Sequence, residues 1–347
     1  MASDWKIWCP EFSGFRKIKE VRLSELKKKL NADEEDLRNL FILSGNKYAP
    51  LEVEVLAELC RGTSLRDVKA ARGSAGTQRV VWIDERNGVP DLKGRGDARQ
   101  HDKLLTATGL LRALEIQRFG HEELPDAARR LIYIADGDPA CIQALAATIS
   151  THQARVARNA IYQYLQFQTL IAVKIHSGFL SFQLDLHLPF FILRKSTTLD
   201  EVGGKSHLKP WRRWIDLSFL KLEKFDREPH NPKEVWGIQE VQFSLVVAGP
   251  DHFRWNGYGL VDSEIDGILA ESFDDDLPHD QIAAGDLQAN FPIWTPRDYW
   301  IRVFEIRIGH VRNHWDNLIR KLELGINQYV RGQSQSTLSN TCSDAGC

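Results

Sequence analysis

Three times in its first half the chain repeats one pattern: a short apolar run stops on polar residues and gives way to helical spacing. Leu40–Leu43 stops at Ser44-Gly45-Asn46, and Pro50 then introduces Leu51, Val55, Leu56 and Leu59. Arg79–Ile83 stops at Asp84 and Glu85, and Leu131–Ile134 stops at Ala135-Asp136-Gly137-Asp138 before Pro139 opens another helical stretch. Continuous apolar strands alternating with helices are buried on both faces, so the pattern predicts an α/β fold with a Rossmann-like parallel sheet core. In such a sheet, ligands bind outside the carboxyl ends of the strands. Ser44, Asp84, Glu85, Asp136 and Asp138 are therefore expected on one crevice face, with helix capping as the plain alternative for Asp136 and Asp138.

Helices are expected at about 101–119, at 139–149 and along HQARVARNAIYQYLQFQ, and GTSLRDVKAARGSAGTQ reads as a loop-rich return. After residue 170 the spacing changes to strands: Ile171–Ile175, Phe182–Leu193, Val241–Ala248 and Trp255–Val261. RKSTTLDEVGGKSHLKPWRRW, from Arg194, is a glycine-containing basic loop. Pro296 then begins a helix with Trp300, Phe304, Ile308, Val311, Trp315, Leu318, Leu322 and Ile326 on one seam. It runs to about Tyr329, roughly 45 Å at 1.5 Å per residue. The organisation expected is a surface helix region over 1–37, a core over 38–170, a strand-rich half with the long helix packed on the core over 171–331, and a disordered tail over 332–347.

A net charge of −2 over 347 residues excludes a generic polyanion binder, so any nucleic-acid contact must come from local patches. MASDWKIWCPEF has no apolar leader core, no run approaches the ~18 apolar residues that span a bilayer, and the five cysteines form no CxxC pair. A soluble, cytoplasmic protein without a membrane partner is expected. No strand is followed by the dinucleotide glycine fingerprint, and GxSxG and HExxH are absent. The acidic stretch over 262–286 is interrupted by a proline and lacks the helical carboxylate spacing of a magnesium box. Neither cofactor nor metal is expected.

The phrases RRLIYIADGDPACIQALAATISTHQARVARNAIYQYL, LDLHLPFFILRKS and DYWIRVFEIRIGHVRNHWDNLIRKLE resemble a large group of fungal proteins often labelled CorA-like, over about residues 38–330. Transport is not implied, because Met1 is the only methionine and a Gly-Met-Asn signature is impossible. A second resemblance is local. SGNKY at Ser44–Tyr48 is similar to the serine loop of cyclodipeptide synthases, and LHLPFF at Leu186–Phe191 is similar to that family's second motif. His187 stands where the family has a glutamate, Gln183 where it has a tyrosine, and Asp185 is the nearby carboxylate. Together the two point to the fungal arginine-containing cyclodipeptide synthases.

That resemblance implies a tRNA-dependent synthase. Ser44 takes an aminoacyl group from its tRNA ester, and the amine of a second aminoacyl group attacks the acyl-enzyme. The partners implied are arginyl-tRNA and a second aminoacyl-tRNA, with no cofactor, since the ester is already activated. Ser44 is then the nucleophile, Tyr48, Asp185 or His187 relays protons, and Gly45 and Asn46 form the loop whose amides steady the oxyanion. Asp84, Glu85, Asp136 and Asp138 are the carboxylates available for an arginyl guanidinium. Arg155 and Arg158 on a helix, with Arg194, Lys195, Arg212 and Arg213 in the basic loop, are the tRNA contacts. Two other functions compete: a non-catalytic CorA-like interaction module, and a different Ser44-dependent acyltransferase. Oligomeric state is not legible.

Overall fold

The structure is a computed structural model. It describes residues 12, 51–88, 94–176, 181–197, 211–222, 234–266 and 279–343. The chain divides into two compact units, Met1–Leu188 with Gln242–Arg307, and Pro189–Val241 with Ile308–Cys347.

The first unit opens with helix α1 (Leu51–Leu59) and two short helices, α2 (Leu65–Lys69) and α3 (Ser74–Thr77). These last two occupy the stretch expected to be loop. Ser64 caps α2 by accepting from the Asp67 amide at 3.2 Å. Strand β1 (Val81–Asn87) and the two-residue β2 (Asp97–Ala98) follow. Helix α4 (Ala107–Glu115) is shorter than the pattern indicates, because Thr106 caps it by accepting from the Gly109 amide at 3.1 Å. Next come β3 (Arg129–Ala135), α5 (Pro139–Thr148) and α6 (Thr151–Leu165).

Strands β4 (Leu170–His176), β5 (Ser181–Thr197), β6 (Trp214–Asp216), β7 (Glu234–Gly249) and β8 (Trp255–Val261) complete an eight-stranded sheet. Its order is β2-β1-β3-β8-β7-β5-β4, with β6 beside β7. The short α7 (Ser263–Asp266) follows β8, and α8 (Pro296–Ser343) closes the chain.

The fold is mixed α/β, but its sheet is mostly antiparallel. β1 runs antiparallel to β3, β7 to β8 and β4 to β5. Among the described pairings only β3 and β8 are parallel, so a Rossmann-like parallel core is not what these strands form. The strand expected at Leu40–Leu43 lies outside the described residues. An apolar run reports burial of both faces and carries no sign of direction, which is why β1 reads like a parallel strand.

β8 is buried along its whole length. A side chain at Gly259 would put its Cβ 2.8 Å from Ile282, so this strand must be bare there for the covering segment to close on it. On that face α8 contributes the buried Tyr299, Val303 and Ile306.

In the second unit, Leu318 of α8 joins Leu193 of β5 and Leu217, Leu220 and Leu222 in an apolar cluster. Phe191 and Trp315 meet edge to face there, with ring centroids 6.2 Å apart. Of the expected seam Leu318 is buried, whereas Ile308, Trp315 and Ile326 are 43%, 39% and 50% exposed, and the buried apolar side chains toward the start of the helix are Tyr299, Val303 and Ile306. The helix continues to Ser343, past the point where a tail was expected. No proline follows Pro296, and once a helix is nucleated each further residue adds a hydrogen bond. Arg194 and Lys195, expected in a loop, are on β5, which extends to Thr197.

Candidate functional site

Alternation along β1 sends Trp82, Asp84 and Arg86 to one face and Ile83 and Glu85 to the other. Asp84 and Glu85 lie within the strand rather than at its end, because arginines neutralise both. Asp84 accepts from Arg86 Nε at 2.8 and 3.1 Å and from Arg129 on β3. Arg129 in turn lies 3.9 Å from Asp280 and against the rings of Trp255 and Tyr299, 5.5 and 5.2 Å from their centroids. Tyr299 donates to Asp280 at 3.0 Å, yet complete burial still raises the Asp280 carboxyl above its usual range.

Glu85 is fully buried and meets Arg130 at 2.5 Å, His101 Nε2 at 3.0 Å and Arg99 at 3.8 Å. Burial pushes this carboxyl up, but Arg130, His101 and Arg99 together overcome it and hold it at about 2. A cavity of about 640 Å³ opens beside β1 and β2 against this cluster.

A second constellation forms at the carboxyl end of the parallel pair. Asp136, just past β3, adopts a left-handed φ of 58° and accepts from the Ser263 amide at 2.8 Å. Asp262, just past β8, accepts from the Gln242 amide at 2.7 Å and from the Tyr164 hydroxyl of α6. Carboxylate oxygens of Asp136, Asp262 and Glu264 lie within 4.8 Å of one another, a spacing that one divalent cation or one guanidinium can bridge. Asp138 instead caps α5, accepting from the Cys141 amide at 2.8 Å. Tyr133, one turn of the pleat before this strand end, is fully buried, and its hydroxyl has no hydrogen-bond partner among the described residues.

From Asp262 a buried polar row leads into the sheet. The Gln242 side chain donates to Ser244 Oγ at 3.2 Å, and Ser244 Oγ is 2.8 Å from His187 Nδ1. Burial pulls the His187 imidazole down to about 4, against the opposing pull of Asp185. Asp185, on the same side of β5, meets Lys174 Nζ at 2.6 Å and accepts from Gln183 at 2.6 Å. The Ser244–His187 separation is that of a nucleophile and its base, but both side chains are sealed in the core and offer no face to a substrate.

Comparison of the chain with protein-family models, with curated proteins and with solved structures returns no match.

Ser44, Gly45, Asn46 and Tyr48 lie outside the described residues. The chain that follows them is anchored near the β3 strand end: Cys60, next to the carboxyl end of α1, donates its thiol to the Pro139 carbonyl at 3.6 Å. Of the expected carboxylates, Asp136 joins the acidic group, Asp138 serves its helix, and Asp84 and Glu85 are occupied by arginines. Arg155 is exposed and Arg158 half-buried on α6. Arg194, Lys195, Arg212 and Arg213 belong to the second unit. Lys195 stands 5.3 Å from the Trp236 ring, Arg212 is buried, and Arg213 is 3.8 Å from Glu240. Asp262 and Glu264 went unassigned as site residues in the sequence, although Asp262 ends an apolar run as Asp136 does. Tyr164, Gln242 and Ser244 carry no such signal, since their roles depend on which strands become neighbours.

Proposed function

We propose that this chain is a tRNA-dependent cyclodipeptide synthase that makes an arginine-containing diketopiperazine from aminoacyl-tRNAs. The observation that carries the reading is the Asp136–Asp262–Glu264 group at the carboxyl ends of β3 and β8, a place and a charge suited to an arginyl guanidinium. The Rossmann-like element of the reading then reduces to this one parallel pair. A cytoplasmic protein with aminoacyl-tRNA partners follows from the same proposal.

The chemistry asks little beyond positioning. Ser44 Oγ attacks the ester carbonyl of the first aminoacyl-tRNA, and the tRNA hydroxyl leaves with the proton. The amine of the second aminoacyl group attacks the seryl ester, forming the first peptide bond and returning the proton to Ser44. The free amine of the resulting dipeptidyl-tRNA closes on its own ester and releases the second tRNA. Amides of the Ser44-Gly45-Asn46 turn stabilise the oxyanions, and Tyr48 relays protons. His187 connects to Asp262 through Ser244 and Gln242, so with Asp185 it enters as a positioning residue. Arg155, Arg158, Arg194, Lys195, Arg212 and Arg213 are the proposed tRNA contacts.

The test is incubation with arginine, the other amino acids, tRNA and their synthetases, followed by mass spectrometry. An arginine-containing diketopiperazine that disappears on RNase treatment and in Ser44→Ala supports the reading; product that survives either treatment overturns it.

The sheet edge favours a second reading, an interaction module. β4 is the last strand in the described order, and Ile171, Val173 and Ile175 are 50%, 59% and 44% exposed along it. A chain that yields no diketopiperazine and forms a specific complex through this edge would be such a module.

A further inference from the structure

We propose that α8 is a dimer interface: it pairs antiparallel with the same helix of a second copy of this chain, about a two-fold axis at Asn317. An exposed apolar stripe and a charged flank, both symmetric about that residue, define the pairing.

Among the described residues, exposed large apolar side chains gather on α8. Four of them, Ile308, Trp315, Ile319 and Ile326, are 39 to 50% exposed, and all four belong to the second unit. They follow one another at steps of seven, four and seven residues. At about 100° per residue, seven residues fall about 20° short of two turns and four run about 40° past one. The four side chains therefore leave the helix within about 40° of one another, in a stripe about 27 Å long at 1.5 Å per residue. Leu318, which holds the helix to the cluster of Leu193, Leu217, Leu220 and Leu222, lies about 80° round from this stripe. The face used for folding is thus distinct from the exposed one, and Trp315 joins them through its contact with Phe191. A continuous apolar stripe on a surface helix marks an interface.

The spacing selects the occupant. Seven, four, seven reads the same in both directions, so an antiparallel copy centred on Asn317 sets Ile308 against the partner's Ile326 and Trp315 against the partner's Ile319. Each contact then occurs twice, as a two-fold interface requires. Steps of seven and four are also those of side chains that interlock between paired helices.

The charges select the direction. Along one flank of the stripe the exposed Arg312, Asp316, Arg320 and Glu323 alternate in sign. Turned about Asn317, Arg312 comes level with the partner's Glu323, and Asp316 with the partner's Arg320. The two Asp316 carboxylates nearest the axis lie between the two Arg320 guanidiniums, and each keeps its own Arg312 at 3.8 Å. A parallel copy would set each of these charges against its own like, which disfavours that arrangement.

Sedimentation velocity of the full chain over a dilution series tests this. The parent should sediment at twice the mass of the chain and dissociate on dilution. Ile319→Glu, a change at an exposed position, should leave a monomer whose circular dichroism matches the parent's. Arg312→Glu and Glu323→Arg should each dimerise at least tenfold more weakly, since each sets like charges together at both symmetric contacts. An equimolar mixture of those two variants should recover the parent's affinity, because the altered charges then face their opposites. A parent that is monomeric throughout would overturn the proposal, whether or not it pellets with vesicles of anionic phospholipid; pelleting would assign the stripe to a membrane surface instead. Charge variants that dimerise like the parent, or a mixture no tighter than either alone, would equally overturn it. The measurement uses no aminoacyl-tRNA, so its outcome is separate from that of the cyclodipeptide reading.

Discussion

Arg307 grips Asp266 with both arms of its guanidinium, Nη1 on Oδ1 at 2.6 Å and Nη2 on Oδ2 at 3.0 Å. Both side chains are buried, and Arg307 also donates to the Gln281 and Ile282 carbonyls. The pair ties the start of α8 to the chain just past β8. Replacing Arg307 by alanine strands a buried carboxylate and two carbonyls, and should cost about 3–5 kcal/mol. Urea denaturation measures this. Asp266→Asn in the Arg307→Ala background should recover part of the loss, since it removes the uncompensated charge; no recovery would show that lost packing dominates.

His187 should make the fold acid-sensitive well above the carboxylate range. Its imidazole is held at about 4 in the fold against an ordinary 6.5, so it is neutral when folded and takes up its proton more readily on unfolding. The contribution is fully present above pH 6.5, falls as pH drops, and is gone below about 4. Its size is on the order of 3 kcal/mol. Denaturation between pH 7 and 4 should show this slope in the parent and lose it in His187→Gln.

Glu85 should act in a lower window. Its carboxyl sits at about 2 in the fold against an ordinary 4.5, which stabilises the fold above pH 4.5 and is lost as pH falls through about 2. The magnitude is again on the order of 3 kcal/mol. Glu85→Gln should be less stable at pH 7 and flatter between pH 4.5 and 2. A variant with the parent's slope there would show that other carboxylates govern acid unfolding.

In the second unit, Leu318→Ala should open a cavity among Leu193, Leu217, Leu220 and Leu222 at a cost of about 2–5 kcal/mol. Hydrogen exchange should quicken at residues 214–222 and in the middle of α8, while β3 and β8 keep their protection.

Charge reversal at Arg194, Lys195, Arg212 and Arg213 should weaken tRNA binding and flatten its dependence on salt, because fewer counterions are released. An unchanged slope would remove these residues from the tRNA surface. Arg212 is buried, so a set without it serves as the folding control.

The positions of the strands were legible because burial writes itself into residue type. The runs at 131–134, 171–175, 182–193, 241–248 and 255–261 all lie in strands, and Pro139 and Pro296 open helices as expected. What the pattern could not carry was direction and adjacency. β1 runs against β3, and β8 arrives beside β3 from far along the chain, so the carboxylates that gather are Asp136, Asp262 and Glu264 rather than Asp84 and Glu85. Charge inside a strand misled for a related reason. A buried Asp84 or Glu85 looks like a strand end until the arginines that neutralise it are known, and Arg86 alone sits close by in sequence. Asp138 shows the reverse case, where the plain capping alternative describes its contact with Cys141.

The parallel pairing of β3 with β8 also dictates an order of synthesis. Arg129 and Trp255 stand side by side in the sheet but are 126 positions apart in the chain. At the usual pace of translation the second strand follows the first off the ribosome by roughly 6 to 25 s. Neighbours such as β4 and β5 can pair as soon as both have emerged, whereas β3 waits through that interval with one edge open. A chaperone holding the nascent chain, or a pause placed after β3, therefore acts on the middle of this sheet before any of its margins.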